Sequence, residues 1–278
     1  MSIESKISNR ILLLKIESFD MKAMVFAAGL GTRLKPFTDH HPKALAEVCG
    51  HPMLGIVIER LKRYGVDEIV VNVHHFADQI IDYLHKNDNF GITIHISDER
   101  EFLLDTGGGI LHARYWLDGD EPFIVHNADI LTDFDIDGMV MKSKSNDAMA
   151  TLLVAERSTK RYLLFDKYDM RMRGWTNIDT GELRPGNLGS IENLDLLAFG
   201  GVHVVSPQIF PYLEAFAATI PVQAESVIPK FSIMDFYISL CHQFRFYGYI
   251  PASPYSWHDI GKPVSLQAAE DSFNEISL

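Results

Sequence analysis

The chain has 278 residues, 47% of them hydrophobic and 22% charged, which suits one large α/β domain with a substantial core. A net charge of −12 gives no general attraction for nucleic acid, so any phosphate site must be a local basic patch. Cys49 and Cys241 match neither a metal-ligand spacing nor a disulfide framework, and no apolar run reaches the ~18 residues of a membrane span.

The expected setting is therefore cytoplasmic, with no nucleic acid or membrane as partner and a monomer or small homo-oligomer as the assembly. Residues 1–20 place Ile11-Leu12-Leu13-Leu14 behind Lys6 and Arg10. That run is too short for a signal peptide, Lys15 and Glu17 follow it, and no small-x-small cleavage site appears. The segment reads as an N-terminal extension, because Met21 begins a strand. Residues 23–27 form an apolar run without alternation, as in a strand buried on both faces. Pro52 suits the first turn of a helix, in which Leu54, Val57, Ile58 and Leu61 keep the i, i+3, i+4, i+7 spacing. Gly65 ends that helix, a strand follows at 68–73, and Ile80, Ile81 and Leu84 mark a second helix. Ile92, Ile94 and Ile96 alternate with polar residues in a half-buried strand. Gly107-Gly108-Gly109 opens a helix, and a strand at 122–126 delivers Asn127-Ala128-Asp129.

This βαβα order predicts a Rossmann-like, doubly wound α/β fold: a mostly parallel sheet flanked by helices, with ligands outside the carboxyl ends of the strands. After about residue 147 the pattern becomes β-rich, with strands at 149–155, 162–165, 172–177 and 180–184. A loop at 186–189 precedes a long strand at 197–205, interrupted by Gly200-Gly201. Helices are expected at 208–216 and 232–243, with Ser232 and Asp235 as a capping pair, and a last helix at 262–278. The twelve histidines show no ligand spacing, so zinc is not supported.

The most informative stretch runs from Lys22 to Leu34. An apolar strand empties into Gly29-Leu30-Gly31, Arg33 follows, and Lys43 lies ten residues further on. Glycines admit a bulky anion and positive φ, and successive backbone N–H groups form an anion-binding concavity. Arg33 and Lys43 add the charge that phosphates pair with. No lysine follows Gly31 as in a Walker loop, and position 34 is Leu where a dinucleotide fingerprint needs a third glycine.

Ala27-Ala28-Gly29-Leu30-Gly31-Thr32-Arg33-Leu34-x-Pro, with the later Pro42-Lys43-Ala44-Leu45, resembles the signature of the sugar-1-phosphate nucleotidyltransferases. The resemblance covers about residues 21–260. It implies an NTP condensed with a sugar 1-phosphate to give an NDP-sugar and pyrophosphate, with Mg²⁺ as cofactor. It assigns catalytic roles to Arg33, on the leaving β- and γ-phosphates, and to Lys43, at the α-phosphate. It places the triphosphate on Ala27, Ala28, Gly29, Leu30, Gly31, Thr32 and Arg33, and the base and ribose on Thr106, Gly107 and Gly108. In the family, carboxylates at the positions of Asp129 and Asp259 hold the metal. Taken without the resemblance, either aspartate is equally a turn residue or a helix cap, and Asp105 or Thr106 a simple N-cap. The family often has glycine where Ala128 stands.

On the sugar side, Phe199-Gly200-Gly201-Val202 resembles the family's small-residue strand beneath the hexose, although a β-bulge explains it as well. The family's Glu-Lys-Pro lysine is missing. Arg157, Lys160 and Arg161 occupy its region, so Gly200, Gly201, Arg157 and Arg161 are the sugar-binding candidates. The resemblance divides the chain into the extension 1–20, a catalytic domain 21–261 and a C-terminal helix 262–278. Within the domain, 21–147 is the nucleotide-binding half and 148–261 the smaller sugar-binding half. Length and Asp-Thr-Gly-Gly-Gly are most like the N-acetylmuramate-1-phosphate uridylyltransferases, which favours UTP with an amino-sugar 1-phosphate. GTP with mannose- or heptose-1-phosphate comes next. A catalytically silent nucleotide-sugar-binding regulatory protein is the alternative; the intact Arg33, Lys43, Asp129 and Asp259 argue against it. The missing third glycine argues against a hydride-transfer enzyme.

Overall fold

The computed structural model describes residues 21–222, 226–261 and 263–273. The expected extension 1–20 and the distal end of the expected C-terminal helix lie outside them. Strand β1 (Met21–Phe26) ends in a loop with 3-10 turns at Thr32–Leu34, Phe37–Asp39 and Lys43–Leu45. A ribbon of β2 (Glu47–Val48) and β3 (His51–Pro52) leads into α1 (Met53–Arg63), followed by β4 (Val66–Val73) and α2 (Ala77–Lys86). Next come β5 (Thr93–Asp98), α3 (Asp105–His112), the short α4 (Arg114–Leu117), β6 (Phe123–Asn127), β7 (Ile130–Thr132) and α5 (Ile136–Ser145). The rest comprises β8 (Ala150–Ala155), β9 (Arg161–Asp166), β10 (Met172–Asn177), β11 (Glu182–Arg184), β12 (Leu194–Val205), α6 (Phe210–Ala217), α7 (Ile233–Leu240), β13 (Phe246–Tyr249), β14 (Trp257–Asp259) and α8 (Pro263–Ser272). No helix among the described residues is long and apolar enough to cross a membrane.

Strands β6, β1, β4 and β5 pair in parallel, so their carboxyl ends open on one edge. The long β12 welds this layer to the β-rich half. Its Leu194–Leu197 segment runs antiparallel to β9, and Val202–Val205 lies antiparallel between β6 and β8. Strand β13 adds to β8 in parallel, and β10 and β11 extend the far edge. Alternation along β1 and β6 divides the core in two, because successive strand side chains point to opposite faces. Met24, Phe123 and Val125 pack with Ile110, Leu117, Phe210 and Phe236 on one face. Ala23, Val25 and Ile124 pack with Leu54, Ile80 and Met139 on the other. Each large apolar side chain buried in this way contributes roughly 1.5–3 kcal/mol.

Three differences from the expected elements have local causes. Helix α5 carries little periodic signal and instead starts from Asp135, whose carboxylate accepts from Asp137 N and Gly138 N at 3.1 and 3.2 Å. Strands β7 and β14 are three residues each, too short for alternation to register, and pair only with one another. Helix α3 begins at Asp105, two residues before its glycines. Ser232 caps α7 as expected, its Oγ accepting from Met234 N at 3.2 Å.

Candidate active site

The carboxyl ends of β1, β4, β5 and β6 surround a cavity of about 460 Å³. Ala27, Ala28, Gly29, Leu30, Gly31, Thr32 and Arg33 line it along one side, as do Lys43, Asn127 and Asp129. Ala27 N and Ala28 N donate to Asn72 Oδ1 at 2.8 and 3.3 Å, so the donors available to an anion begin at Gly29. Gly31 has φ +63°, and a Cβ there would lie 2.6 Å from Thr38 Cγ2 and 2.9 Å from Lys43 Cβ. Glycine at this position lets the loop fold onto Lys43, and Thr38 Oγ1 holds it by donating to Gly31 O at 2.8 Å.

Two remote segments meet at the charged corner. Strand β14 pairs with β7 so that Asp259 lies opposite Ile130, and Ile260 N donates to Asp129 O at 2.8 Å. Thr132 Oγ1 donates to Ser256 O and Ser256 N donates to Asp133 Oδ1, both at 2.7 Å, which locks the pairing. Lys43 Nζ donates to Asp129 Oδ2. A methyl group built on Gly261 would lie 2.7 Å from Asp259 Oδ1, 3.0 Å from Arg33 Nη2 and 3.3 Å from Lys43 Nζ. Arg33, Lys43 and Asp259 therefore converge on the backbone of Gly261, and Asp129 joins them through Lys43. Asp259 Oδ1 is buried and has no hydrogen-bond partner among the described residues.

A divalent cation fits this corner. It would meet the unsatisfied oxygen of Asp259 and the carboxylate of Asp129, a hard-oxygen set suited to such ions. No cluster of three or more His, Cys, Asp or Glu able to hold a metal occurs among the described residues. The remaining ligands would therefore be phosphate oxygens and water, as is usual for Mg²⁺.

The opposite wall is built from a buried polar pair. Asn72 Nδ2 donates to Glu99 Oε1 at 2.8 Å, and Glu99 Oε2 accepts from Leu104 N at 3.0 Å. Asn72 thus ties the glycine loop to Glu99, and Glu99 ties that pair to the start of α3. Burial raises the Glu99 carboxyl above the usual carboxylate range. Asp105 has φ +61°, and its Oδ1 accepts from Thr106 N at 2.6 Å. Thr106 Oγ1 accepts from Ile233 N at 2.9 Å, while Gly107 N and Gly108 N donate to Phe231 O at 2.9 and 3.3 Å. A Cβ on Gly107 would run into the Phe231 ring, and one on Gly108 would lie 2.7 Å from Pro229 O. These two glycines admit the 229–231 segment and stand behind the wall. Asp105, Thr106 and Lys230 line the cavity itself.

The four sugar-side candidates lie outside this lining. Gly200-Gly201 sits where the register of β12 against β8 shifts, and Trp257 Nε1 donates to Gly200 O at 2.8 Å. Arg157 stacks its guanidinium 3.4 Å from the centre of the Trp257 ring and donates to Phe199 O at 2.7 Å. Its Nε is buried without a partner among the described residues. Burial lowers its pKa, against which the nearby Tyr255 hydroxyl and Asp259 carboxylate act. Arg161 lies exposed at the start of β9, and Lys160 pairs with Asp179 at 2.5 Å.

Asn72, Glu99 and Lys230 escaped the reading of the sequence. A lone polar residue within the otherwise apolar stretch 69–73 was a signal for Asn72, and Glu99 directly follows a strand end. Lys230 carries no local signal, since its place depends on Phe231 N donating to Leu104 O at 3.2 Å.

Comparison with known proteins gives a consistent result. The family model described as nucleotidyl transferase matches residues 22–163. The chain is 32% identical over 257 residues to an N-acetylmuramate alpha-1-phosphate uridylyltransferase of Caulobacter vibrioides, covering 89% of this chain and 95% of that one. It is 34% identical over 195 residues to a protein of the same name from Neisseria meningitidis, covering 70% and 79%. Among solved structures, HddC from Yersinia pseudotuberculosis complexed with GMP-PN superposes with a TM-score of 0.67 at 22% identity, covering 91% and 99%, a likeness of fold.

Proposed function

The chain belongs to the nucleotidyl transferase family and is a sugar-1-phosphate nucleotidyltransferase, and from that premise we propose that it joins UTP to an amino-sugar 1-phosphate, N-acetylmuramate α-1-phosphate foremost, with Mg²⁺ as the metal. The observation that carries this reading is the convergence of Arg33, Lys43 and Asp259 on Gly261, with Asp129 bonded to Lys43. Relatives of similar length bearing the uridylyltransferase name support the choice of substrates.

In this reading an oxygen of the sugar phosphate attacks the α-phosphorus. A P–O bond forms, the bond from that phosphorus to the β-phosphate bridging oxygen breaks, and pyrophosphate leaves. A phosphate monoester is already an adequate nucleophile, so catalysis is positioning and charge neutralisation, with no general base. Gly29 to Thr32 cradle the leaving phosphates and Arg33 stabilises their charge. Lys43 neutralises the α-phosphate and the incoming phosphate. Mg²⁺ bound by Asp129 and Asp259 would offset the mutual repulsion of the two substrates. Arg157, held against Trp257 beside the strand of Asp259, receives the sugar phosphate in place of the missing lysine.

A pyrophosphate-release screen of UTP, GTP, CTP and dTTP against a panel of sugar 1-phosphates with Mg²⁺ tests this. The highest rate is expected for UTP with N-acetylmuramate α-1-phosphate. Turnover confined to GTP with mannose- or heptose-1-phosphate overturns the substrate choice, and no turnover with any pair overturns the catalytic reading.

A further inference from the structure

We propose that Lys230, together with Asp105, reads the nucleotide base and selects bases that present a carbonyl beside a ring N–H, as uracil, thymine and guanine do. The inference rests on the reading of the cavity as a nucleoside triphosphate site. Lys230 lines that cavity beside Leu103, Asp105 and Thr106, and it is exposed. Among the described residues no hydrogen bond or ion pair engages its amine. Its backbone is pinned on both sides. Pro229 O packs against Gly108, Phe231 exchanges hydrogen bonds with Leu104, Gly107 and Gly108, and Ile233 N donates to Thr106 Oγ1.

Most donors around Lys230 are already engaged. The N–H groups at the start of a helix ordinarily await an acceptor. Here Leu104 N is taken by Glu99, Thr106 N by Asp105, and Gly107 N and Gly108 N by Phe231 O. Asn72 Nδ2 is taken by Glu99. Four backbone N–H groups at this end of the cavity are thus committed to the protein, and Lys230 supplies the charged donor there. Asp105 supplies the acceptor. Its Oδ1 holds Thr106 N, and no described donor engages its Oδ2.

An ammonium only donates and a carboxylate only accepts. With the exocyclic group at Lys230 and the adjacent ring nitrogen at Asp105, the pair matches O4 and N3–H of uracil or thymine, or O6 and N1–H of guanine. Cytosine and adenine present an amino group beside an unprotonated ring nitrogen, which sets donor against donor at Lys230 and acceptor against acceptor at Asp105. A site whose polar groups go unmatched rejects the wrong ligand strongly, and a hydrogen bond to a charged group corresponds to about 10- to 100-fold in affinity.

The test is calorimetric binding of UTP, GTP, CTP and ATP to the full chain with Mg²⁺ and no sugar phosphate, for the natural chain, Lys230→Met and Lys230→Arg. The natural chain is expected to prefer UTP and GTP. Lys230→Met should weaken those two by about 10- to 100-fold and leave CTP and ATP little changed, so that the preference collapses, and Lys230→Arg should restore most of it. Equal weakening for all four nucleotides would make Lys230 a phosphate ligand and overturn the proposal. So would an unchanged preference in Lys230→Met, or no preference in the natural chain. Lys230-dependent base preference with no turnover on any sugar 1-phosphate would sustain this inference and remove the catalytic reading. Turnover with a Lys230-independent base ratio would do the reverse, and failure to bind any nucleotide would overturn both.

Discussion

Along the wall made by Asn72, Glu99 and the start of α3, each buried polar group is matched by a partner, whereas at the Asp129–Asp259 corner a buried carboxylate oxygen has none among the described residues. The matched wall sets shape, because a satisfied buried network is rigid and costly to rearrange. The unmatched corner concentrates charge where substrates will supply the counter-charge, and such preorganised electrostatics is usually the main source of an enzyme's rate enhancement. One cavity thus separates the groups that hold its form from the groups that act.

Replacing the acting groups should affect rate far more than stability. In Asp129→Ala and Asp259→Ala, turnover is expected to fall on the order of 10²–10³-fold. The melting temperature of Asp259→Ala should hold or rise, since an unpartnered buried carboxylate oxygen is removed. Steady-state kinetics beside thermal melts checks this; a large loss of stability with turnover preserved would erase the contrast.

Replacing a shaping group should do the opposite. Asn72→Ala strands Ala27 N and Glu99 Oε1 in a buried setting, at about 1–3 kcal/mol for each group. Stability should fall by a few kcal/mol, and KM for the nucleotide should rise about 10-fold with kcat changed less. A kcat loss as large as that of Asp259→Ala would show that the two walls do not divide the work.

The smallest expected effect on turnover comes from beneath both walls. His203 on β12 is fully buried, bonds Tyr237 Oη at 2.9 Å, and has a pKa pushed down to about 3 by burial. In the unfolded chain a histidine titrates near 6.5, so between about 3 and 6.5 the unfolded state holds a proton that the folded state does not. Stability therefore falls as pH drops from 6.5 toward 3, by up to about 1.4 kcal/mol per unit from this residue. Denaturant titrations between pH 4 and 7 should show a shallower slope in His203→Gln, with turnover at neutral pH nearly unchanged. An equal slope in the variant would assign the acid sensitivity elsewhere.

The sequence was legible where local pattern determines structure. The unalternating run of β1, the i, i+3, i+4 face of α1 and the glycine loop each declare themselves within about a dozen residues. The family resemblance linked Asp129 to Asp259, which no local pattern could have done, since the ladder that joins them is three residues long. The glycines of α3 illustrate the limit. The resemblance places the base and ribose on Gly107 and Gly108, yet Phe231 and Pro229, from a segment far along the chain, fill the space beside them. Lys230 was hidden for the same reason. A surface lysine acquires meaning only from what its neighbours are stitched to.

The pairing of β7 with β14 has a consequence for the making of the protein. Thr132 and Ser256, which it brings together, are 124 residues apart, and Thr106 and Ile233 on the other wall are separated by 127. As the chain leaves the ribosome, the glycine loop emerges among the earliest residues of the domain, yet neither side of the cavity can close until the last quarter has followed. The nascent protein therefore carries its most recognisable motif through most of synthesis with no competent pocket around it. Loop closure over such separations also places the final steps of folding among the slower ones.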